Sequence, residues 1–188
     1  EISQGVPPKL SQTSNNIFLN EKLLARVKSI YDKKEQLNLS TEDAKLLEDL
    51  YESFKANGAT LNKDDKEKYR KLSMDLSMLT LQFDQNALKD KNRFELLITD
   101  ENELSGLPES ARDAAAMLAK SKDKNGWLFN LSAPSYIPFM RYSDKRDLRE
   151  KMYREYMSVG NKGDEFDNKD IIKKIVNIRL EIAQLMGF

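Results

Sequence analysis

The sequence contains no histidine and no cysteine among its 188 residues. The first absence removes the commonest general base near neutral pH and the commonest zinc ligand. The second removes disulfides and thiolate nucleophiles, and it leaves the redox compartment unspecified. A net charge is lacking too, because Lys plus Arg and Asp plus Glu each number 31. A protein that neutralises many phosphates carries a basic excess, so nucleic acid is not an expected partner. No apolar run approaches the roughly 20 residues needed to cross a bilayer, and no signal-peptide pattern is visible, so no membrane partner is expected either. The chain opens at Glu1 rather than Met and stops at Met186-Gly187-Phe188, which leaves room for a missing N-terminus and an export signal. Proline and glycine are scarce, at 5 and 7 residues, while 39% hydrophobic and 33% charged residues suit a soluble, helix-rich globule. At this length one domain, or one large piece of a larger protein, is expected.

Motifs for chemistry are also missing. The metallopeptidase pattern HExxH needs two histidines one helical turn apart. Ser132, Ser135 and Tyr136 bring hydroxyls close to two prolines, but without histidine there is no ordinary Ser-His pair, and no GxSxG appears. No Gly-rich phosphate loop or paired-cysteine site exists. The acidic stretch Gly163–Asp170 has oxygens out of step with a calcium loop and no central glycine, so a solvated loop with Asp167 or Asn168 capping the next helix is the stronger reading. Lys66, Lys68, Arg70 and Lys71 alternate with Asp64, Asp65, Glu67 and Asp75, which reads as a solvated face with i,i+4 pairs rather than a phosphate site. Arg141, Lys145, Arg146, Arg149, Lys151 and Arg154 are balanced by Asp144, Asp147, Glu150 and Glu155. One of these arginines could guide a peptide carboxylate, although structural ion pairing weighs more. Trp127 and Phe129 could form an aromatic binding face, but strand alternation favours the core. No residue is assigned a catalytic, cofactor-binding or metal-ligating role.

The periodicity predicts a mainly α fold: one domain over 1–188, a bundle of long antiparallel helices with a small two-stranded antiparallel β element. Residues 1–19, with Pro7-Pro8 and a polar run from Ser11 to Asn16, read as an irregular lead-in. A helix from Asn20 to about Lys34 carries the stripe Leu23, Leu24, Val27, Ile30 and Tyr31. Ser40-Thr41-Glu42-Asp43 reads as a capping box opening a second helix, in which Leu46, Leu47, Leu50, Tyr51 and Phe54 share a face, ended by Asn57-Gly58. From Asn62 to about Leu88 the seam Tyr69, Leu72, Leu76, Leu79 and Phe83 predicts a helix roughly 40 Å long, at ~1.5 Å per residue, lying against an antiparallel neighbour. Residues 93–99 and 126–131 read as paired strands around an insert with a small-residue helix after Pro108. A helix from about Asp144 to Ser158 follows, then a glycine-containing loop and a last helix from about Asn168 to Met186. Its seam is Ile171, Ile175, Ile178, Ile182 and Leu185, with Gly187 at the C′ position.

The most distinctive stretch is Gly126–Tyr156, GWLFNLSAPSYIPFMRYSDKRDLREKMYREY: an apolar strand, a turn punctuated by Ala133-Pro134 and Ile137-Pro138, and a charged amphipathic helix. It resembles the thimet oligopeptidase family of zinc oligopeptidases, nearest the bacterial peptidyl-dipeptidase branch. Leu23–Lys28, Gln36–Leu39, Leu46–Leu61, Phe94–Thr99, Leu104–Ser110, Arg146–Tyr153 and Asp167–Phe188 are similar to family segments in the same order. The resemblance implies a cytoplasmic or exported peptidase of short peptides, with two largely helical halves flanking a deep channel. It also implies zinc held by two HExxH histidines and a later glutamate, in a half that this chain lacks. On that reading the chain is a non-catalytic, monomeric channel wall, inactive by itself, whose partners are short peptide substrates and its own C-terminal catalytic domain. A stand-alone helical interaction module, suggested by the two heptad seams, is the alternative.

Overall fold

A computed structural model describes residues 2–188, with side chains from Gly5 onward. The described residues form eight α-helices and one two-stranded antiparallel sheet, a mainly α fold as the periodicity predicts. Contacts divide the chain into two compact units, one from residues 1–82 with 171–188 and the other from residues 83–170.

In the first unit the prolines mislead. Helix α1 (Ile2–Phe18) occupies the span read as an irregular lead-in over 1–19 and contains Pro7 and Pro8. Each proline deletes one i→i−4 donor, but from Ser11 onward the helix is anchored by remote contacts. Ser11 and Asn15 both reach Ser73 on α4 (Lys63–Arg93), at 3.4 and 2.8 Å, and Arg70 donates to Asn16 at 3.2 Å. Lys66 pairs with Glu21 at 3.0 Å. Rising numbers on one side meet falling numbers on the other, so α1 is an antiparallel neighbour of the seam. Tyr69 and Leu72 of that seam are buried, and burial raises the Tyr69 phenol pKa.

Helix α2 (Glu21–Tyr31) begins where Asn20 accepts the N–H groups of Lys22 and Leu23, and it stops short of Lys34, where a 3₁₀ turn (Lys34–Gln36) takes over. Helix α3 (Thr41–Ala56) opens at Ser40. The Ser40 hydroxyl accepts from Asp43 N–H at 3.1 Å and donates to the Asp43 carboxylate at 2.7 Å, so the two side chains bond each other rather than completing the reciprocal box. The hairpin closes on Tyr31 stacked against Tyr51 at 4.1 Å, and Phe54 meets Phe18 edge-on at 5.3 Å.

The second unit holds the denser core. Strands β1 (Leu96–Ile98) and β2 (Trp127–Phe129) pair antiparallel in the register Leu96–Phe129, Leu97–Leu128 and Ile98–Trp127. Between them a 3₁₀ turn capped by Asp100 leads into α5 (Glu109–Ser121), whose Ala115 and Ala119 are small enough to lie flat on β2. The proline-punctuated turn expected after β2 is instead a helix, α6 (Ala133–Tyr142). Pro134 falls in the first turn, where no intrahelical donor is required. Pro138 costs one bond inside, but the adjacent Phe139 is fully buried and meets Phe129 at 4.7 Å, which fixes the segment. Helix α7 (Arg146–Met157) adds Met152 to this core, with Leu148 packed against it.

Helix α8 (Lys169–Leu185) starts in the second unit and runs on in the first, with Ile171 buried.

Candidate functional site

The distinctive stretch becomes β2, α6 and α7, and its polar side chains serve the fold. Asn130 organises the turn between β2 and α6: its carboxamide oxygen accepts from Ser132 N–H at 3.0 Å and from the Ser132 hydroxyl at 2.6 Å. The Ser135 hydroxyl accepts from Asn130 N–H at 3.0 Å. Tyr136 stacks on Tyr156 at 4.2 Å, and burial raises its phenol pKa. None of the three hydroxyls is paired with a side-chain base, so the arrangement supplies no activated nucleophile. Beside them a cavity of about 130 Å³ is walled by Ala111, Ala114, Leu118, Leu128, Phe129 and Pro134, an apolar notch with Ser132 and Ser135 at its rim.

The arginines of the same stretch line a second groove, of about 450 Å³, formed by Met140, Arg146, Arg149, Glu150, Tyr153 and Arg154. Two of its three guanidiniums are committed. Arg149 donates to the Ser143 carbonyl, and Arg154 pairs with Glu150 at 2.6 Å. Arg146 has no ion-pair partner among the described residues. The groove can therefore receive an anionic group only at Arg146, without breaking an existing contact. The other sequence candidates disperse. Lys66 pairs with Glu21, Lys68 approaches Glu181 at 3.8 Å and Arg70 binds Asn16. Arg141 lies over the Tyr142 ring, Phe129 is core, and Trp127 packs against that core half-buried.

The junction before α7 ties two family-like segments together. The Ser105 hydroxyl donates to Asp144 at 2.6 Å, and Asp144 N–H donates to the Ser105 carbonyl at 2.9 Å. Gly106, at φ +82°, lies where a Cβ would fall 2.2 Å from the Tyr142 carbonyl, so only glycine allows this approach.

A cluster that sequence reasoning missed is built on Asp90. This carboxylate is fully buried and accepts from Gly160 N–H at 2.7 Å, Lys162 at 3.2 Å and Arg93 at 2.7 Å. Lys162 also reaches Glu155 at 2.7 Å, and Arg93 also binds Asp164. Burial works against the Lys162 ammonium, but hydrogen bonds to Glu155 and Asp90 outweigh it and raise its pKa. The hydrogen bond to Asp164, aided by Asp90, raises the Arg93 pKa, and Arg93 in turn lowers that of Asp164. Nearby, Asn86 donates to Asn168 at 3.1 Å, and Asn168 donates to the Phe83 carbonyl at 3.1 Å. A signal was present. The spacing that runs through Leu79 and Phe83 continues, three and four residues on, to Asn86 and Asp90. The seam ends in polar residues that pin the loop before α8.

Within that loop Asp167 bonds locally. Asp167 accepts from the Lys169 ammonium at 2.9 Å and the Lys169 N–H at 2.9 Å, and from Gly163 N–H at 2.7 Å. These bonds lower its pKa to about 2. For zinc the donor set does not fit. The chain has neither histidine nor cysteine, and no three acidic side chains converge among the described residues. Where two carboxylates do approach, at Asp90 and Glu155, Lys162 lies between them.

Comparison with known proteins adds what the geometry does not carry. No protein-family profile matches the chain. Individual proteins do. Oligopeptidase A of Salmonella typhimurium is 35% identical over 185 residues, covering 96% of this chain and 27% of its own length. Dipeptidyl carboxypeptidase of Escherichia coli is 33% identical over 181 residues, with 96% and 27% covered. The probable cytosolic oligopeptidase A of Arabidopsis thaliana is 38% identical over 168 residues, covering 86% of this chain and 24% of the plant protein. The chain thus spans about a quarter of the length of the curated relatives it matches.

Proposed function

Because the chain belongs to the thimet oligopeptidase family, we propose that it is the non-catalytic helical part of a longer zinc metallopeptidase that hydrolyses short peptides. In that protein it walls the substrate channel and helps set which peptides enter. The observation that carries this reading is the match itself: it runs along 96% of the chain yet occupies 27% of Oligopeptidase A. Composition supports the division of labour, since the zinc motif of the family requires histidines and this chain has none. The zinc ligands and the water-activating glutamate are therefore placed in the remaining polypeptide. Of the three arginines lining the groove on α6 and α7, Arg146 is the one left available to a peptide carboxylate.

Names among the relatives include both oligopeptidase and dipeptidyl carboxypeptidase, so peptide cleavage is the shared expectation and dipeptide release the finer one. A cytoplasmic, monomeric protein is proposed. The name of the plant relative supports that location, and no described helix is long and apolar enough to cross a membrane.

Reading the gene beyond Phe188 tests the proposal. An open frame reaching an HExxH motif is expected, and its complete product should bind one zinc and cleave short peptides. The 188-residue chain alone should show neither property. A stop codon within a few dozen codons of Phe188, or stoichiometric zinc on the isolated chain, would sink it.

A further inference from the structure

Helix α8 is apolar over more of its circumference than its own unit covers. At 100° per residue, Ile171, Ile175, Ile178, Ile182 and Leu185 fall on one side, and these are buried or half-buried. The apolar surface does not end there. Ile172, Val176 and Leu180, at i, i+4 and i+8, form a second stripe beside the first and are 47%, 58% and 56% exposed. Asn177, Glu181 and Gln184, with Lys173 and Lys174, confine the polar character to the remaining arc, and Arg179 is the single charge between the two stripes. An amphipathic helix facing one core needs only one apolar stripe, and a helix apolar over more than half its surface belongs between two packed layers. Three large aliphatic side chains in line are also more than scattered exposure explains.

We infer that the Ile172–Val176–Leu180 stripe is a docking seam for the polypeptide that the longer peptidase carries outside residues 1–188. The inference rests on the function proposed above and names the surface through which this part meets the rest. The relatives supply the occupant: each matched bacterial protein has about three times as much chain again beyond the aligned portion.

Val176→Asp separates the possibilities. In the 188-residue chain the substituted side chain faces water, so the thermal midpoint should move by no more than about 1 °C. In the complete gene product the same change should lower it by at least about 5 °C or prevent folding. The milder Val176→Ser gives a graded loss, and Val176→Ile restores the parent value. An equal effect in both proteins, small or large, overturns the seam. So does sedimentation showing that the 188-residue chain dimerises and that Val176→Asp dissolves the dimer, since a second copy would then be the occupant. A complete product that cleaves peptides but tolerates Val176→Asp sinks this inference alone. One that is destabilised by Val176→Asp yet cleaves nothing sinks the proposed function alone.

Discussion

The two compact units spend similar apolar residues differently. Among the described side chains the first unit buries Leu19, Phe54, Ala59, Tyr69, Leu72 and Ile171, whereas the second buries twelve apolar side chains, including Phe129, Phe139, Ile98 and Met152. The exposed large apolar residues reverse the balance. In the first unit they are mostly aliphatic, such as Leu23, Ile30, Leu46, Leu50, Val176 and Leu180. In the second they are mostly Tyr and Met, such as Tyr142, Tyr153, Met117 and Met157, which tolerate water or fill irregular contacts. Helix α2 has no buried residue at all. The second unit is built to be held by its own core, and the first presents aliphatic surface suited to a partner. Exposed apolar area of that kind is a poor feature in a finished surface and a sensible one in an interface.

Four measurements would break or sharpen this contrast. The largest effect is expected from Phe139→Ala, which empties the centre of the second core and should cost about 3–5 kcal/mol. The single tryptophan, Trp127, packs against that core. Its fluorescence transition in urea should therefore shift further than the far-UV circular dichroism, which reports helices of both units. Identical shifts would mean the units unfold as one. Asp90→Ala comes next. It leaves Lys162 and Arg93 without their buried partner, and loss of one member of a buried pair costs about 3 kcal/mol. A urea midpoint unchanged from the parent would show that the buried carboxylate contributes nothing.

Ser40→Ala probes the first unit. Losing the N-cap of α3 should cost about 1 kcal/mol, and Ser40→Asp should recover most of it. A loss as large as that of Phe139→Ala would contradict the picture of a unit held by local signals. The smallest effect concerns pH. Asp167 titrates at about 2 in the fold against an ordinary 3.8 because Lys169 and the Gly163 N–H bind its charged form. A lowered folded pKa favours the fold above pH ~4, and that contribution is lost as the pH falls through about 2. Asp167→Asn should thus flatten the stability profile between these values and leave it unchanged near neutrality. An acid limb as steep as the parent's would assign the loss to other carboxylates.

Much of this was legible in the residues. Asn20 and Ser40 announced helix starts that the structure places at Glu21 and Thr41. The alternation around Leu96–Ile98 and Trp127–Phe129 announced a strand pair across a helical insert. Arg154, read as ion-paired rather than ligand-binding, pairs with Glu150 four residues back, whereas Lys66 reaches the remote Glu21 instead of the i,i+4 neighbour expected for it. The misreadings share a cause. Pro7, Pro8 and Pro138 are local signals against helix, worth about 3 kcal/mol each in an isolated segment. In α1 they were outweighed by contacts with Ser73, far along the chain, and in α6 by the packing of Phe139 on Phe129, beyond the reach of a helical turn.

By itself the sequence determined the helical periods, the caps, and the lack of any histidine or cysteine that a metal or nucleophile site could use. Those properties depend on neighbours within four residues or on composition alone. The tertiary structure alone decided that prolines lie inside helices and that Asp90 is the buried centre of an ion network. It also decided that α8 turns the Ile171 side inward and leaves the Val176 side open. Each of these is a choice between faces or partners, and it is made by packing against residues tens of positions away.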